Sequence, residues 1–277
     1  MKQLEHLLPR VIATALCAGK AIMEIYSNPT IDVTIKGDDS PLTQADLAAD
    51  KVINGYLTGF NLNWPILSEE SVSVPYEERK KWTRYWLVDP LDGTKEFINR
   101  NGEFTVNIAL IENGVPIMGV VYSPVLGSCY YALKGFGAFM LACPTTLSAD
   151  SYSIKASVPT GPVKVVASRS HCCDRTKAIL AKLGDHELVN MGSSLKICLV
   201  AEGLAHLYPR LGPTMEWDTG AAHAIVLEAG GTVCDRISGR ELQYNKPDLH
   251  NPEFYVMSAE WAPSMFRMLD AGVPYKI

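Results

Sequence analysis

The sequence predicts a mixed α and β protein, α+β in its first half and α/β in its second. Three observations predict this class. The chain opens on an amphipathic helical pattern, residues 104–141 carry a run of antiparallel strand patterns, and from residue 163 strand and helix patterns alternate. Between the last two, residues 144–162 are rich in Ser, Thr and Pro and form a candidate boundary. The halves are read as 1–147 and 148–277, long enough together for a sizeable core.

Leu4, Leu7, Leu8, Val11, Ile12, Ala15, Leu16, Ile22 and Ile25 recur at helical spacing, so residues 3–26 form one helix, with Pro29 just past its end. Residues 32–35 alternate as a short strand, and 36–41 form a polar loop. Thr43 is placed to cap a second helix, with Asp46 in the capping-box position and Ala48, Ala49, Val52, Ile53 and Leu57 continuing it. A short apolar strand at 65–67 ends in Glu69 and Glu70. Neighbours on a strand point opposite ways, so at most one of these acids enters a shared site. Residues 77–84 read as a charged, solvated loop.

The next stretch, Trp86 to Thr94, organises the chain. Leu87 and Val88 close a buried strand and Asp89 sits at its end. Pro90 cannot donate to a ladder and is expected to stop the sheet. Asp92 follows three residues later, so two carboxylates can converge across one turn. Gly93 permits close approach to the backbone, and Thr94 can cap a short helix through Asn99 whose free N–H groups face an anion. Asp-Pro and Asp-Gly also mark ordinary turns, so this stretch alone is either a turn or a site for divalent metal and phosphate.

Strands follow at 104–110 and 117–122, joined by an Asn113-Gly114 hairpin, then at 130–133 and 138–141. The second half reads strand 163–167, helix 174–183, strand 188–189, helix 193–201 after Gly192, and strand 205–208. Helix 219–229 follows, with Asp218 as its N-cap and Gly230-Gly231 as its stop. Strands at 232–234 and 254–257 complete the reading.

A net charge of -5 excludes a broad basic face for nucleic acid, so any phosphate ligand needs local positive potential from metal, helix ends or a few placed Lys and Arg. The seven cysteines are irregularly spaced with no Cys-x-x-Cys, which argues against a disulfide framework or zinc site and for a reducing cytoplasm. Glu5, His6, Pro9 and Arg10 interrupt any signal-peptide core, and no apolar run approaches the ~20 residues of a transmembrane helix. His171, His206 and His223 lack metal-ligand spacing and read as structural.

Four acids, Glu69, Asp89, Asp92 and Asp218, now stand at ends of elements. Their blocks are Leu67-Ser68-Glu69-Glu70, Asp89-Pro90-Leu91-Asp92-Gly93-Thr94, and Trp217-Asp218 followed by Glu228-Ala229-Gly230-Gly231. In this order, across nearly the whole chain, they resemble the inositol monophosphatase superfamily of metal-dependent, lithium-sensitive phosphatases. Lys95-Glu96-Phe97, Arg100 to Asn107, Gly192-Ser193-Ser194-Leu195-Lys196 and Leu207-Tyr208-Pro209-Arg210 look like its bacterial 3'(2'),5'-bisphosphate nucleotidase branch. The resemblance implies a layered α-β-α-β-α sandwich and two or three Mg2+ ions. It implies Glu69, Asp89, Asp92, Asp218 and the Leu91 carbonyl as metal ligands. Glu69 and Thr94 would orient a water, with Asp46 holding the Thr94 hydroxyl, and the Gly93 and Thr94 N–H groups would hold phosphate.

For substrate choice, relatives that act on inositol phosphates place an acid shortly before the Trp-Asp motif, where this chain has Arg210. An Arg fork suits a second phosphate better than a polyol. Gly192, Ser193, Ser194 and Lys196 lie where they can join it, and Asp218 also borders the substrate. Solvated surface charge is the alternative for Lys196 and Arg210. The expected substrate is adenosine 3',5'-bisphosphate, hydrolysed to AMP and phosphate, with a sulfated analogue as a second substrate and a role in sulfate assimilation. Inositol or fructose phosphate hydrolysis and a non-catalytic nucleotide-sensing or protein-binding module are the rivals. The resemblance is compatible with a homodimer and with peripheral attachment to the cytoplasmic face of the inner membrane.

Overall fold

The computed structural model describes residues 2–28, 33–35, 41–70, 74–142, 150–167 and 174–269. Helix α1 (Lys2–Tyr26) buries Leu4, Leu7, Leu8, Val11, Ile12, Ala15, Ala18 and Ile22 along one stripe, as their spacing requires. A short antiparallel pair, β1 (Val33–Ile35) and β2 (Pro41–Thr43), leads into α2 (Gln44–Thr58), where the Thr43–Asp46 capping box is formed. The expected loop at 36–40, Pro29, Asp32 and the cysteines at 143, 172 and 173 lie outside the described residues, as does His171.

Helices α1 and α2 cover one face of a seven-stranded sheet. In spatial order it runs β3 (Ile66–Ser68), β4 (Arg84–Asp92), β5 (Thr105–Glu112), β6 (Val115–Ser123), β7 (Ser128–Leu133), β8 (Gly137–Ala142) and β9 (Ser151–Ser153). Only the β3–β4 pair is parallel. Short helices α3 (Tyr76–Arg79) and α4 (Thr94–Ile98) flank β4. The second half contains β10 (Val163–Ala167), α5 (Asp174–Leu183), β11 (His186–Asn190), α6 (Leu195–Ala201), β12 (Leu207–Arg210), α7 (Glu216–Glu228), β13 (Gly231–Asp235), β14 (Phe254–Ser258) and α8 (Ala262–Leu269). Its five strands are ordered β11-β10-β12-β14-β13.

The strand period of two explains the layers. Trp86, Val88, Ile108 and Leu110 point into a core shared with α1 and α2, while Tyr85, Leu87, Ala109 and Ile111 point into a core shared with α6 and α7. In the smaller sheet Val166, Tyr208 and Val256 join that second core, and Val165, Leu207 and Met257 meet α5 and α8 in a third. The result is an α-β-α-β-α sandwich, the class the resemblance implied. α7 lies almost backbone to backbone on the large sheet: a Cβ at Gly119 of β6 would stand 2.0 Å from the Ala221 carbonyl oxygen. That contact fixes the height of the helix that carries Asp218.

Several expectations need correction. Pro90 does not stop the sheet, because β4 absorbs it in an irregularity and pairs again at Asp92. The N-cap of α4 is Gly93 at φ 94°, with Thr94 the first helical residue. Ser193 precedes α6 at φ 54° and Ser194 is its N-cap. The N-cap of α7 is Met215, with Asp218 at the third helical position. The charged loop at 77–84 is not wholly solvated. Arg79 is buried, donating to the Val74, Lys246 and Pro247 carbonyls and to Asn245 Oδ1, contacts with a loop that sequence spacing could not foresee. β9 and α8 were not expected from the sequence; β9 is three exposed residues too short to show a pattern.

Among the described residues Cys17, Cys129, Cys198 and Cys234 are free thiols. No described helix is long and apolar enough to cross a membrane.

Candidate active site

Asp89 and Asp92 are three apart, and in a regular strand their side chains would face opposite ways. The irregularity at Pro90 reverses this. Asp89 pairs with Asn107 and Asp92 with Thr105, so β4 spends three residues where β5 spends two. One extra residue, the step of a bulge, returns Asp92 to the face of Asp89. The missing Pro90 N–H makes the insertion inexpensive, and Asp89 Oδ1 accepts the Leu91 N–H at 3.0 Å across it.

Glu69 is brought alongside by the parallel β3–β4 pairing, which its N–H continues to the Val88 carbonyl at 3.1 Å. Ser68 Oγ donates to Asp50 Oδ1 at 2.6 Å, anchoring this strand end to α2. Asp218 comes from the first turn of α7, its Oδ2 accepting the Met215 N–H at 2.9 Å. Carboxylate oxygens of Glu69, Asp89 and Asp218 all lie within 4.8 Å of one another.

Like charges this close in a buried place resist ionisation. Burial, then the charges of Glu69, Asp92, Asp218 and Asp46, hold the Asp89 carboxyl well above the ordinary carboxylate range. Burial, then Asp92 and Glu69, push Asp218 up to about 8, against the opposing pull of the Met215 N–H and of Arg210. An all-oxygen, anionic cluster of this kind fits a hard divalent cation.

Asp46 serves two ends. Its Oδ2 accepts the Thr43 N–H and hydroxyl at 2.8 and 2.6 Å, the capping role, and its Oδ1 accepts the Thr94 hydroxyl at 3.3 Å. The Leu91 carbonyl is a further acceptor for Thr94 at 3.4 Å. Gly93 needs to be glycine: its φ is positive, and a Cβ would press the Glu103 carbonyl at 3.2 Å. Gly192 is likewise confined, since a Cβ would meet Glu103 at 2.9 Å. Asp92 stands beside the three-acid cluster with one oxygen engaged, Oδ2 accepting the Ser193 hydroxyl at 2.7 Å and the Ser194 N–H at 2.5 Å.

A polar cleft of about 340 Å³ opens here, lined in part by Asp92, Ser193, Lys196, Arg210 and Asp218. Lys196 is nine-tenths buried, its Nζ 5.9 Å from the Tyr208 ring centroid. Arg210 Nη2 donates to the Pro213 carbonyl at 2.8 Å, while its buried Nε has no acceptor among the described residues. Both cations therefore belong to the cleft rather than to a solvated surface. His223 is buried against Tyr244 and Glu241 and does not line the cleft.

Sequence reasoning missed Thr105 and Asn107. Their side chains bond each other at 3.0 Å. Thr105 reaches Ser193 at 2.6 Å, and Asn107 accepts from Ser194 at 2.9 Å, bracing the loop that holds Asp92. The signal was there: two polar residues at period two inside an apolar strand. Thr214, Thr219 and Phe254 also line the cleft and carried no local motif.

The chain is similar to known proteins over nearly its whole length. Residues 3–265 match the model of the inositol monophosphatase family. The chain is 48% identical over 252 residues to a Salmonella typhimurium protein named 3'(2'),5'-bisphosphate nucleotidase CysQ, covering 90% of this chain and 99% of that one. The crystal structure of CysQ from Bacteroides thetaiotaomicron, a bacterial member of the same family, superposes with a TM-score of 0.81 at 45% identity, over 90% of this chain and 96% of that one. A Thermotoga maritima IMPase superposes with a TM-score of 0.76 over 98% and 97% of the two chains, at 23% identity, sharing the fold.

Proposed function

The chain belongs to the inositol monophosphatase family, and from that premise we propose that it is a magnesium-dependent 3'(2'),5'-bisphosphate nucleotidase converting adenosine 3',5'-bisphosphate to AMP and phosphate. The observation that carries the substrate choice is that one cleft holds both signs of charge. Asp92 and Asp218 border it beside the acid cluster, and Lys196 and Arg210 border it, the Arg210 Nε having no acceptor among the described residues. A substrate with two phosphates supplies an anion for the cations as well as a reacting phosphate for the acids. The 48% identity to a relative bearing that activity in its name supports the same choice.

Glu69, Asp89, Asp92, Asp218 and the Leu91 carbonyl are the oxygens that would hold Mg2+. Bound there, Mg2+ supplies Lewis acidity at the phosphoryl group and lowers the pKa of water to near neutrality. Glu69 and Thr94 orient the attacking water, and Asp46 fixes the direction of the Thr94 hydroxyl. The Gly93 and Thr94 N–H groups, which have no intrahelical acceptor at a helix start, receive the phosphate oxygens. Water oxygen attacks phosphorus in line, the bond from phosphorus to the 3' oxygen breaks, and that oxygen leaves carrying the proton that the attacking water gives up. Ser193 and Ser194 keep Asp92 in place through the step. Arg210, with Lys196, grips the phosphate that does not react.

The test is phosphate release from adenosine 3',5'-bisphosphate and from inositol 1-phosphate, each with magnesium and with chelator. Magnesium-dependent turnover favouring the nucleotide is expected. Preference for inositol phosphate would overturn the role of Arg210 and Lys196. Turnover that persists in chelator would overturn the metal role of the acids.

A further inference from the structure

We infer that His223 is a positioning residue for Asp218, acting through Tyr244 and Thr219; the inference rests on the reading of Asp218 as a metal ligand. His223 is fully buried in α7 and does not line the cleft. Thr219 and His223 are four residues apart, so they stack on one face of the helix. The Tyr244 hydroxyl bridges them, 2.9 Å from His223 Nδ1 and donating to Thr219 Oγ1 at 3.2 Å. The other ring nitrogen, Nε2, stands 2.8 Å from Glu241 Oε2. Glu241 is itself held by the Thr232 hydroxyl and by the Val233 N–H at 3.2 Å, both on β13.

Thr219 is where this chain of bonds meets the site. Thr219 borders the cleft, yet every capacity of its hydroxyl is used. It accepts from Tyr244 and from Asn251 Nδ2 at 3.1 Å, and it donates to the Glu216 carbonyl at 3.2 Å. A hydroxyl has one proton and two lone pairs, so nothing remains for a ligand. It therefore anchors the helix. Asn251 extends the anchor, Nδ2 donating to the Met215 carbonyl at 2.7 Å. Met215 is the residue whose N–H orients the Asp218 carboxylate. The first turn of α7 is thus held from β13 through Glu241, His223, Tyr244 and Thr219. A buried polar chain of this length is costly unless each member is satisfied, and a broken link releases the whole register.

The experiment is calorimetric titration of the substrate-free protein with Mg2+, together with the KM for adenosine 3',5'-bisphosphate and the thermal midpoint. His223→Leu and Tyr244→Phe are each expected to weaken Mg2+ binding by about fivefold while leaving the nucleotide KM within about twofold, the scale of one hydrogen bond. His223→Asn, which keeps a polar atom near the place of Nδ1, is expected to recover most of the loss. Thr219→Val, which also loses the Asn251 and Glu216 bonds, should weaken Mg2+ binding at least as much as Tyr244→Phe, and the double variant should be no worse than Thr219→Val alone, since Tyr244 acts through Thr219. Should His223→Leu fail to fold, the Tyr244→Phe and Thr219→Val pair carries the test. Asp218→Asn is the reference. If it leaves Mg2+ binding intact, the metal reading itself fails. If it abolishes binding while Tyr244→Phe lowers only the thermal midpoint at unchanged Mg2+ affinity, the metal reading stands and the role of His223 is overturned.

Discussion

Two acids, the buried Glu216 and the half-buried Asp218, stand two residues apart on the first turn of α7 and are treated in opposite ways. Glu216 accepts the N–H groups of Asn245 and Lys246 at 2.7 and 3.0 Å and the Lys246 ammonium at 2.5 Å. Asp218 accepts one N–H, and acids act on it from two sides. The same division separates two arginines. Arg79 is buried against three carbonyls and an amide oxygen, whereas Arg210 keeps a buried Nε without an acceptor among the described residues. In the scaffold, desolvated charge is matched by the fold itself. In the cleft the fold matches charge only in part, Arg210 easing but not cancelling the crowding of acids on Asp218, and a desolvated charge left so is costly until something that binds offsets it. Unmatched charge of both signs in one cavity is thus the physical mark of the site.

The largest expected effect comes from breaking the acid side. Asp89→Asn and Asp92→Asn should each lower turnover by at least ~10³-fold, the scale of several kcal/mol of lost metal-assisted stabilisation. The folded state should persist, since Asp89 relieves like-charge repulsion when neutralised. Magnesium should then no longer raise the thermal midpoint. Full activity in either variant would show that these acids are no more than a turn.

Breaking the cationic side should be smaller and selective. Arg210→Ala is expected to cut kcat/KM on the bisphosphate by about 10–100-fold, the scale of charged hydrogen bonds. A single-phosphate substrate should lose at most about threefold, since it lacks the group Arg210 binds. Equal losses on both substrates would mean that Arg210 shapes the cleft and grips nothing.

Much of this division was legible in the sequence and some was not. The acids were visible because each ends an element and each block has its own local pattern. The convergence of Asp89 and Asp92 was expected across a turn, but its means was not, because Pro90 reads as the end of the strand and instead sits in a bulge within it. Asp46 could be read as a cap or as a partner of Thr94, and it is both, one carboxylate oxygen for each. Arg79 was misread as solvated because all its partners but the Val74 carbonyl lie more than 160 residues away, at 245–247. The layered fold followed from helix and strand periodicity, which is local. The match between charges on distant loops is tertiary and has no local signal.

The scaffold acid provides the converse test. Glu216→Gln should destabilise by about 1–3 kcal/mol, because two N–H donors and an ammonium lose a charged acceptor, moderated by the partial exposure of Lys246. Turnover and the magnesium-induced rise in thermal midpoint should survive. Loss of the magnesium response at unchanged stability would place Glu216 with the cleft and erase the comparison.

The finest distinction is in pH. Asp218 has its folded pKa raised to about 8, against about 3.9 for an unfolded Asp. Below pH ~4 both states carry the proton and Asp218 contributes no pH dependence. Between about 4 and 8 the unfolded chain has lost the proton that the native state keeps, so metal-free stability falls as pH rises. Asp89, also raised, acts with the same sign. Other carboxylates titrate as well, so the readout is a difference: the thermal midpoint of the metal-free protein minus that of Asp218→Asn, followed from about pH 5 to pH 8 by calorimetry in chelator. This difference should decline with pH. Added magnesium, which takes the place of the protons, should stabilise the parent protein progressively more over the same range. A difference that rises with pH would mean that Asp218 is matched within the fold as Glu216 is, and that its place beside the acids is a matter of packing alone.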